Sequence, residues 1–250
     1  MGKKGQGKVY LIGAGPGDPG LMTLKGRDLT AKADCLVYDA LASPAMLGWL
    51  KPECERIYVG KRAGKHALPQ AEINNLLVSC AAKYACTVRL KGGDPYVFGR
   101  GGEEAEALFA ADVPFEVVPG ISSAIAGPTY AGIPITHRAH CNQFTVFTGH
   151  EDASKAEPTL DIPGIAAAKG TKVMLMGMSR LRQTMQALME AGQGGDVPAA
   201  AIQWAATSRQ RRVIATVSTL ADAVEAAGLA APAVVVIGDV VGCAPPLDWY

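Results

Sequence analysis

Apolar residues fall along the chain in short runs separated by longer stretches with helical spacing. Residues 9–12, 35–38, 56–59, 87–90 and 115–118 form one set of runs. A second set follows at residues 144–148, 172–176, 199–204, 212–217 and 233–237. Short apolar runs of this length predict buried strands. Between them, Ile73, Leu76, Leu77 and Cys80 recur at i, i+3, i+4 and i+7, and Leu181, Met185, Leu188 and Met189 do much the same. That spacing predicts amphipathic helices. Ser218, ahead of residues 219–227, reads as a helix cap. Strands alternating with helices predict an α/β fold with mainly parallel sheets covered by helices.

The pattern is interrupted between Gly132 and Cys141, where a proline and several polar side chains separate two α/β blocks of similar length. This predicts an N-terminal α/β domain over residues 8–136 and a C-terminal one over 137–243. Residues 151–169 read as a surface loop with a short Ala-rich helix, and the tail 244–250 as peripheral. Of the 250 residues, 49% are hydrophobic and 19% charged, which excludes a disordered chain. Lys and Arg total 24 against 23 Asp and Glu, so no global basic field points to nucleic acid. No apolar stretch reaches the ~18 residues of a membrane span. The basic start is followed by an apolar run too short for a signal peptide. Six cysteines without CxxC or Cys/His ligand spacing read as inert thiols of a reducing cytoplasm. His137 and His140 are three apart with no evident third ligand, so no metal site is expected.

Chemistry concentrates in glycine-rich turns that follow strands. Gly13-Ala-Gly-Pro-Gly-Asp-Pro19 follows the first run and invites comparison with a dinucleotide-binding turn. The GxGxxG spacing fails at Asp18, and Pro16 removes a backbone donor a phosphate would need. A nucleotide-binding oxidoreductase is therefore disfavoured, and the loop reads instead as a shaped ligand surface. The stretch from Arg89 to Glu104 carries five glycines within residues 92–102, with both charge signs around them. Gly92 and Gly93 allow close backbone approach, and Asp94 supplies an acceptor at the carboxyl end of a strand, where open α/β sheets bind ligands. Glu103 and Glu104 suit the first turn of a following helix. Gly120-Ile-Ser-Ser-Ala124 repeats the strand–turn–helix arrangement, so Ser122 or Ser123 can cap that helix or bond a ligand carboxylate.

Charge is unevenly spread. From Arg56 to Glu104 eight Lys or Arg face four acids, whereas none occurs from Val213 onward. Lys61, Arg62, Lys65 and Arg100 sit among glycines rather than on helical stripes, which suits a small polyanionic ligand. With aromatics at only 6%, stacking residues for nucleic acid are scarce.

These strings, taken with Tyr38-Asp39-Ala-Leu, Gly60-Lys-Arg-Ala-Gly-Lys-His66, Gln70-Ala-Glu-Ile-Asn74, Tyr130-Ala-Gly-Ile-Pro-Ile-Thr-His-Arg138 and Phe147-Thr-Gly-His150, resemble the uroporphyrinogen-III C-methyltransferases of the tetrapyrrole methylase group. The likeness runs in order from about Val9 to Val241 and is strongest in the first 150 residues. It implies two α/β domains with the active site in the cleft between them, S-adenosylmethionine as methyl donor, and a homodimer. It implies two methylations of uroporphyrinogen III to precorrin-2, for siroheme or cobalamin synthesis. By motif position the cofactor contacts would be Pro16, Gly92, Gly93, Asp94, Val97, Ser122, Ser123, Met176, Ala206 and Ala233. Asp39 and Lys61 would take the proton-acceptor and proton-donor positions. Leu175-Met-Gly177 and Ala205-Ala206 stand where relatives often carry Tyr-Met-Gly and an Asn-Gly or Asn-Ala pair.

A carboxylate-rich macrocycle gives the basic segment a purpose, since Arg62, Arg100 and Arg138 can grip carboxylates bidentately. Asp39, at a strand end, can accept pyrrole N–H bonds and stabilise charge developing on the ring. Two other readings stay open here: a methyltransferase acting on a later corrin intermediate, and a carrier that binds without catalysis.

Overall fold

The computed structural model describes residues 7–40, 43–60, 68–150 and 160–250. The chain divides into two compact units, Met1–Ser122 and Ser123–Tyr250. In the first, strands β1 (Lys8–Gly13), β2 (Cys35–Tyr38), β3 (Glu55–Tyr58), β4 (Cys86–Lys91) and β5 (Phe115–Val118) form one sheet in the order β3-β2-β4-β1-β5. Every pairing in it is parallel, as the alternation of strands and helices implied. Helices α1 (Leu24–Ala31), α2 (Gln70–Lys83) and α3 (Gly101–Ala110) cover it.

Strand alternation assigns the side chains to two layers. Val9, Leu11, Cys35 and Val37 pack with Ile73, Leu77 and Cys80 of α2 and Leu108 of α3. Ile12, Leu36, Val88 and Leu90 pack on the other face with Met22, Met46 and Leu50. Since Val88 and Leu90 point to the second layer, Arg89 and Lys91 are directed under α2 and α3. The connections that follow β2 and β4 thus lie on opposite faces of the sheet. In an open parallel sheet, such a switch between adjacent strands leaves a crevice at their carboxyl ends. Asp39 and Gly92 follow those two ends.

At the far edge, Glu116 of β5 accepts from Lys8 of β1 at 2.6 Å and also pairs with Lys25 of α1. These two bonds hold its carboxyl down to about 2. A carboxyl depressed on folding stabilises above its unfolded value and loses that contribution as pH falls through the folded one. Glu116→Gln is therefore expected to lower stability by about 0.2–1 kcal/mol at neutral pH, the usual scale for a surface pair. The deficit should fade between the ordinary glutamate value of 4.5 and about 2. Denaturant melts at both ends of that window test it.

The second unit starts with α4 (Ser123–Tyr130) and carries β6 (Phe144–Thr148), α5 (Ile162–Ala167), β7 (Thr171–Leu175), α6 (Leu181–Glu190), β8 (Pro198–Gln203), β9 (Arg211–Thr216), α7 (Leu220–Ala226), β10 (Ala233–Ile237) and α8 (Ala244–Leu247). Its sheet order is β6-β7-β10-β8-β9. Only β6 and β7 run parallel; β10 is antiparallel to both β7 and β8, and β8 is antiparallel to β9. The expectation of mainly parallel sheets is thus corrected for this unit. The link from β8 to β9 is too short for a crossover, which takes about a dozen residues, so those two strands can only meet antiparallel. β10 then inserts between β7 and β8 against their direction.

The division also falls earlier than the 136/137 boundary expected from sequence. Ile133 and Cys141 are buried in the core of the second unit, and Thr171 donates from its hydroxyl to the Ile135 carbonyl at 2.7 Å. The polar interruption between them is a surface turn of that unit rather than a seam. Two further differences follow from hydrogen bonding. Ser218 does not cap α7: Thr219 occupies the cap position, and the Ser218 hydroxyl lies 3.1 Å from that of Thr216. The tail lies at the periphery, exposed from residue 245 onward, yet it is also anchored. Trp249 donates from its indole to the Thr129 carbonyl, and Arg212 forks onto Asp248 at 2.9 and 2.5 Å. Tyr130 meets Trp249 and Tyr250 edge-on. No helix among the described residues is long and apolar enough to cross a membrane.

Candidate active site

At the carboxyl end of the first sheet, three turns come together. The Gly15 and Gly93 backbones bond each other reciprocally, at 2.7 and 3.2 Å, so the turn holding Pro16 is laced to the turn after β4. Asp94 ties in the third: its carboxylate accepts from the Tyr96 amide at 2.8 Å and from the Gly120 amide at 3.0 Å. The acceptor expected to face a ligand therefore also holds the turns in register. The contact is too close for side chains. A Cβ on Gly13 would lie 2.5 Å from the Gly120 Cα and 2.6 Å from the Gly93 carbonyl oxygen. Gly13→Ala is expected to cost about 1–3 kcal/mol, as overpacking does. A thermal melt of the variant beside the parent reads out the loss.

Further along the same loop, Tyr96, Val97 and Phe98 are exposed, and Phe98 and Arg100 are left-handed. Arg100 forks onto Glu103 at 2.8 Å through both contacts and stands in solvent. Lys61 and Arg62 lie outside the described residues.

Behind the crevice sits a buried charge network. Arg89 donates to Asp39 at 3.1 Å and to Glu104 at 3.2 Å, and Lys91 donates to the same Glu104 oxygen at 2.9 Å. Glu104 is fully buried, and its other carboxylate oxygen has no partner among the described residues. Burial and then the adjacent Arg89 guanidinium push the Lys91 amine below its ordinary value, against the pull of Glu104. Asp39 is the outermost member, a quarter exposed, and Arg89 fixes its carboxylate at the end of β2.

The second unit gathers its own expected contacts at one end of its sheet. Val234 of β10 pairs with Leu175 of β7, and Ala233 pairs with Gln203 of β8. Met176 after β7, Ala233 at the start of β10 and Ala206 just beyond β8 therefore share that end. Met176, Trp204 and Ala206 all have left-handed backbones. For non-glycine residues this conformation is uncommon and tends to cluster at ligand sites. Ala206 is 1% exposed and its amide donates to the Gln210 side chain at 2.9 Å, so that amide is already engaged. Ser122 and Ser123 are half-buried where the chain passes between units, and Arg138 is exposed in the turn bridging His137 to Cys141.

A family profile described as tetrapyrrole (corrin/porphyrin) methylases matches residues 8–221. The chain belongs to this family. It is 51% identical to an S-adenosyl-L-methionine-dependent uroporphyrinogen III methyltransferase of Methanosarcina barkeri, over 94% of this chain and 92% of that protein. It is 44% identical to a siroheme synthase of Chromobacterium violaceum, of which it spans 52%. Among solved structures, a uroporphyrin-III C-methyltransferase of Thermus thermophilus complexed with S-adenosylhomocysteine superposes with a TM-score of 0.80 at 37% identity, covering 94% of this chain and 93% of that one. A cobalt precorrin-4 methyltransferase gives 0.82 at 27% identity, covering 94% and 95%.

In this tetrapyrrole methylase the residues that sequence reasoning missed are Arg89, Lys91 and Glu104 as an internal network. By count alone both cations belong to the ligand-facing excess of residues 56–104, and Glu104 suits the dipole of a helix start. The available signal was two basic residues at i and i+2 inside an apolar run, which a strand must send to one buried face.

Proposed function

We propose that the chain methylates uroporphyrinogen III twice with S-adenosylmethionine, giving precorrin-2. The observation that carries this is the 51% identity, over nearly the full length of both chains, to an S-adenosyl-L-methionine-dependent uroporphyrinogen III methyltransferase. The first unit's geometry suits it: three strand-end turns meet so closely that only glycine backbone fits, leaving main chain within reach of a ligand. In this reading Pro16, Gly92, Gly93, Asp94, Val97, Ser122, Ser123, Met176, Ala206 and Ala233 hold the donor, which supplies an electrophilic methyl group when bound.

The protein's own work is alignment and charge control. A pyrrole carbon must lie in line with the methyl, and holding it there removes much of the entropic barrier. Asp39, oriented by Arg89, accepts from pyrrole N–H groups and offsets positive charge as the ring carbon forms its new bond to carbon. The methylated macrocycle then gives up one proton, for which Asp39 is the acceptor, while Lys61 holds the proton-donor position that the family resemblance assigns to it. Arg62, Arg100 and Arg138 take substrate carboxylates. Arg100 must exchange its fork on Glu103 for such a carboxylate, an exchange that its exposure allows.

The likeness to a cobalt precorrin-4 methyltransferase at TM-score 0.82 supports a second reading, methylation of a later corrin intermediate. Incubation with uroporphyrinogen III and isotopically labelled donor separates the two. The first predicts a red fluorescent product heavier by two methyl groups, the second no transfer to this substrate. Family resemblance supports a homodimer, tested by light scattering. Six thiols without a disulfide suit the cytoplasm.

A further inference from the structure

The second unit also has a cavity at the other end of its sheet, away from Met176, Ala206 and Ala233. It is an open pocket of about 330 Å³ beside the start of β7 and the end of β10. Lys172 lines it and is only 5% exposed. On β7, Lys172 alternates with Val173 and shares its face with Met174, which is buried beneath α5 and α6, so an ammonium occupies a position the pattern gives to an apolar side chain. Its one bond among the described residues is to the Ala168 carbonyl at 2.7 Å, just past the end of α5. Capping a short helix explains that bond but not the burial, since the neighbouring exposed Lys169 could cap from solvent. An ammonium has three donors, so two remain uncommitted.

A second group in the same wall is also unsatisfied. The Oε1 of Gln193 is buried with no partner among the described residues. Turning the amide over merely exchanges which end lacks a partner, because amide oxygen and nitrogen occupy nearly equivalent positions. A buried polar atom left unpaired costs about 1–3 kcal/mol, and Gln193, which carries such an atom, lines the same pocket as a buried ammonium with donors to spare, a lining that suits a polar occupant. Lys169 adds to the positive side of the lining and Asp239 opposes it, so that with Lys172 the lining carries a net positive charge.

We propose that this cavity binds a small organic oxyanion, a carboxylate or a phosphate ester, with Lys172 as charge partner and the Gln193 amide turned to donate to it. The volume stands near the lower end of the ~300–1,000 Å³ of small-molecule sites and is too large for a bare ion. Burial holds the Lys172 amine below its ordinary value, a penalty that an arriving anion relieves. The site uses none of the residues assigned to methyl transfer, so it stands or falls independently of that activity.

Calorimetric titration of the full chain with citrate and, separately, with glycerol 3-phosphate at constant ionic strength tests it. Saturable binding of either probe is expected, and which one binds identifies the chemistry. Lys172→Gln should weaken that binding at least tenfold and Gln193→Leu severalfold, with circular dichroism checking the fold of each. Where Lys172→Gln fails to fold, Gln193→Leu decides: weaker binding supports the site and unchanged binding overturns it. Binding of neither probe, or undiminished binding to a folded Lys172→Gln, also overturns it.

Discussion

Asp39→Ala is expected to lower the rate of methyl transfer by about 10²–10⁴-fold, the range that a positioned acid–base group contributes. Binding of S-adenosylhomocysteine should stay within about threefold of the parent. The asymmetry follows from position: Asp39 stands at the end of β2, bonded to Arg89, whereas the glycine turns belong to β1, β4 and β5. Single-turnover transfer of a labelled methyl, set beside calorimetry with S-adenosylhomocysteine, measures both quantities. Equal losses in the two would remove Asp39 from the chemistry and make it a structural residue.

Glu104→Gln should act on stability. The carboxylate is fully buried and answers two buried cations through a single oxygen. Among the described residues, taking away its charge leaves Arg89 with Asp39 as its one acid and Lys91 with no acid at bonding distance. Breaking a buried pair from one side costs about 3–5 kcal/mol, since the surviving charge stays out of water. For a chain of this size each kcal/mol shifts the melting midpoint by about 2–4 °C, so a drop of about 6–20 °C is expected. The loss should also depend on pH. Lys91 already sits below the ordinary lysine value of 10.5 when folded, and losing Glu104 lowers it further. The unfolded chain then binds more protons than the folded one, so stability rises with pH toward 10.5 and the variant's deficit narrows. Thermal melts between neutral and alkaline pH check the sign; a deficit that widens with pH would contradict it.

Strand positions were legible in the sequence because strands covered on both faces read as short continuous apolar runs. The runs at 9–12, 35–38, 87–90 and 115–118 are all strands, extended by a residue or two at most. The expected strands at 172–176 and 199–204 each end one residue early, where Met176 and Trp204 turn left-handed. No apolar pattern encodes that turn. Strand direction was not legible either. Hydrophobic alternation carries no sign, so nothing in residues 233–237 announces that β10 runs against β7 and β8.

At the site, the glycine turns could be read because close backbone approach leaves only glycine tolerable, as at Gly13 and Gly120. The roles of charged residues could not be read from their number. Arg89, Lys91 and Arg100 contribute equally to the excess of the 56–104 segment, yet two are buried against Glu104 and one stands in water. Asp94 similarly offers an acceptor by composition and spends both oxygens on neighbouring amides in the fold.

The central claim is that the laced turns after β1, β4 and β5 hold the sulfonium methyl donor. A crystal structure of the chain soaked in S-adenosylhomocysteine tests it most directly. The ligand should lie against Pro16 and the backbone of Gly92, Gly93 and Asp94, with those turns in the geometry described. Density for the ligand elsewhere, with these turns untouched, would contradict the account.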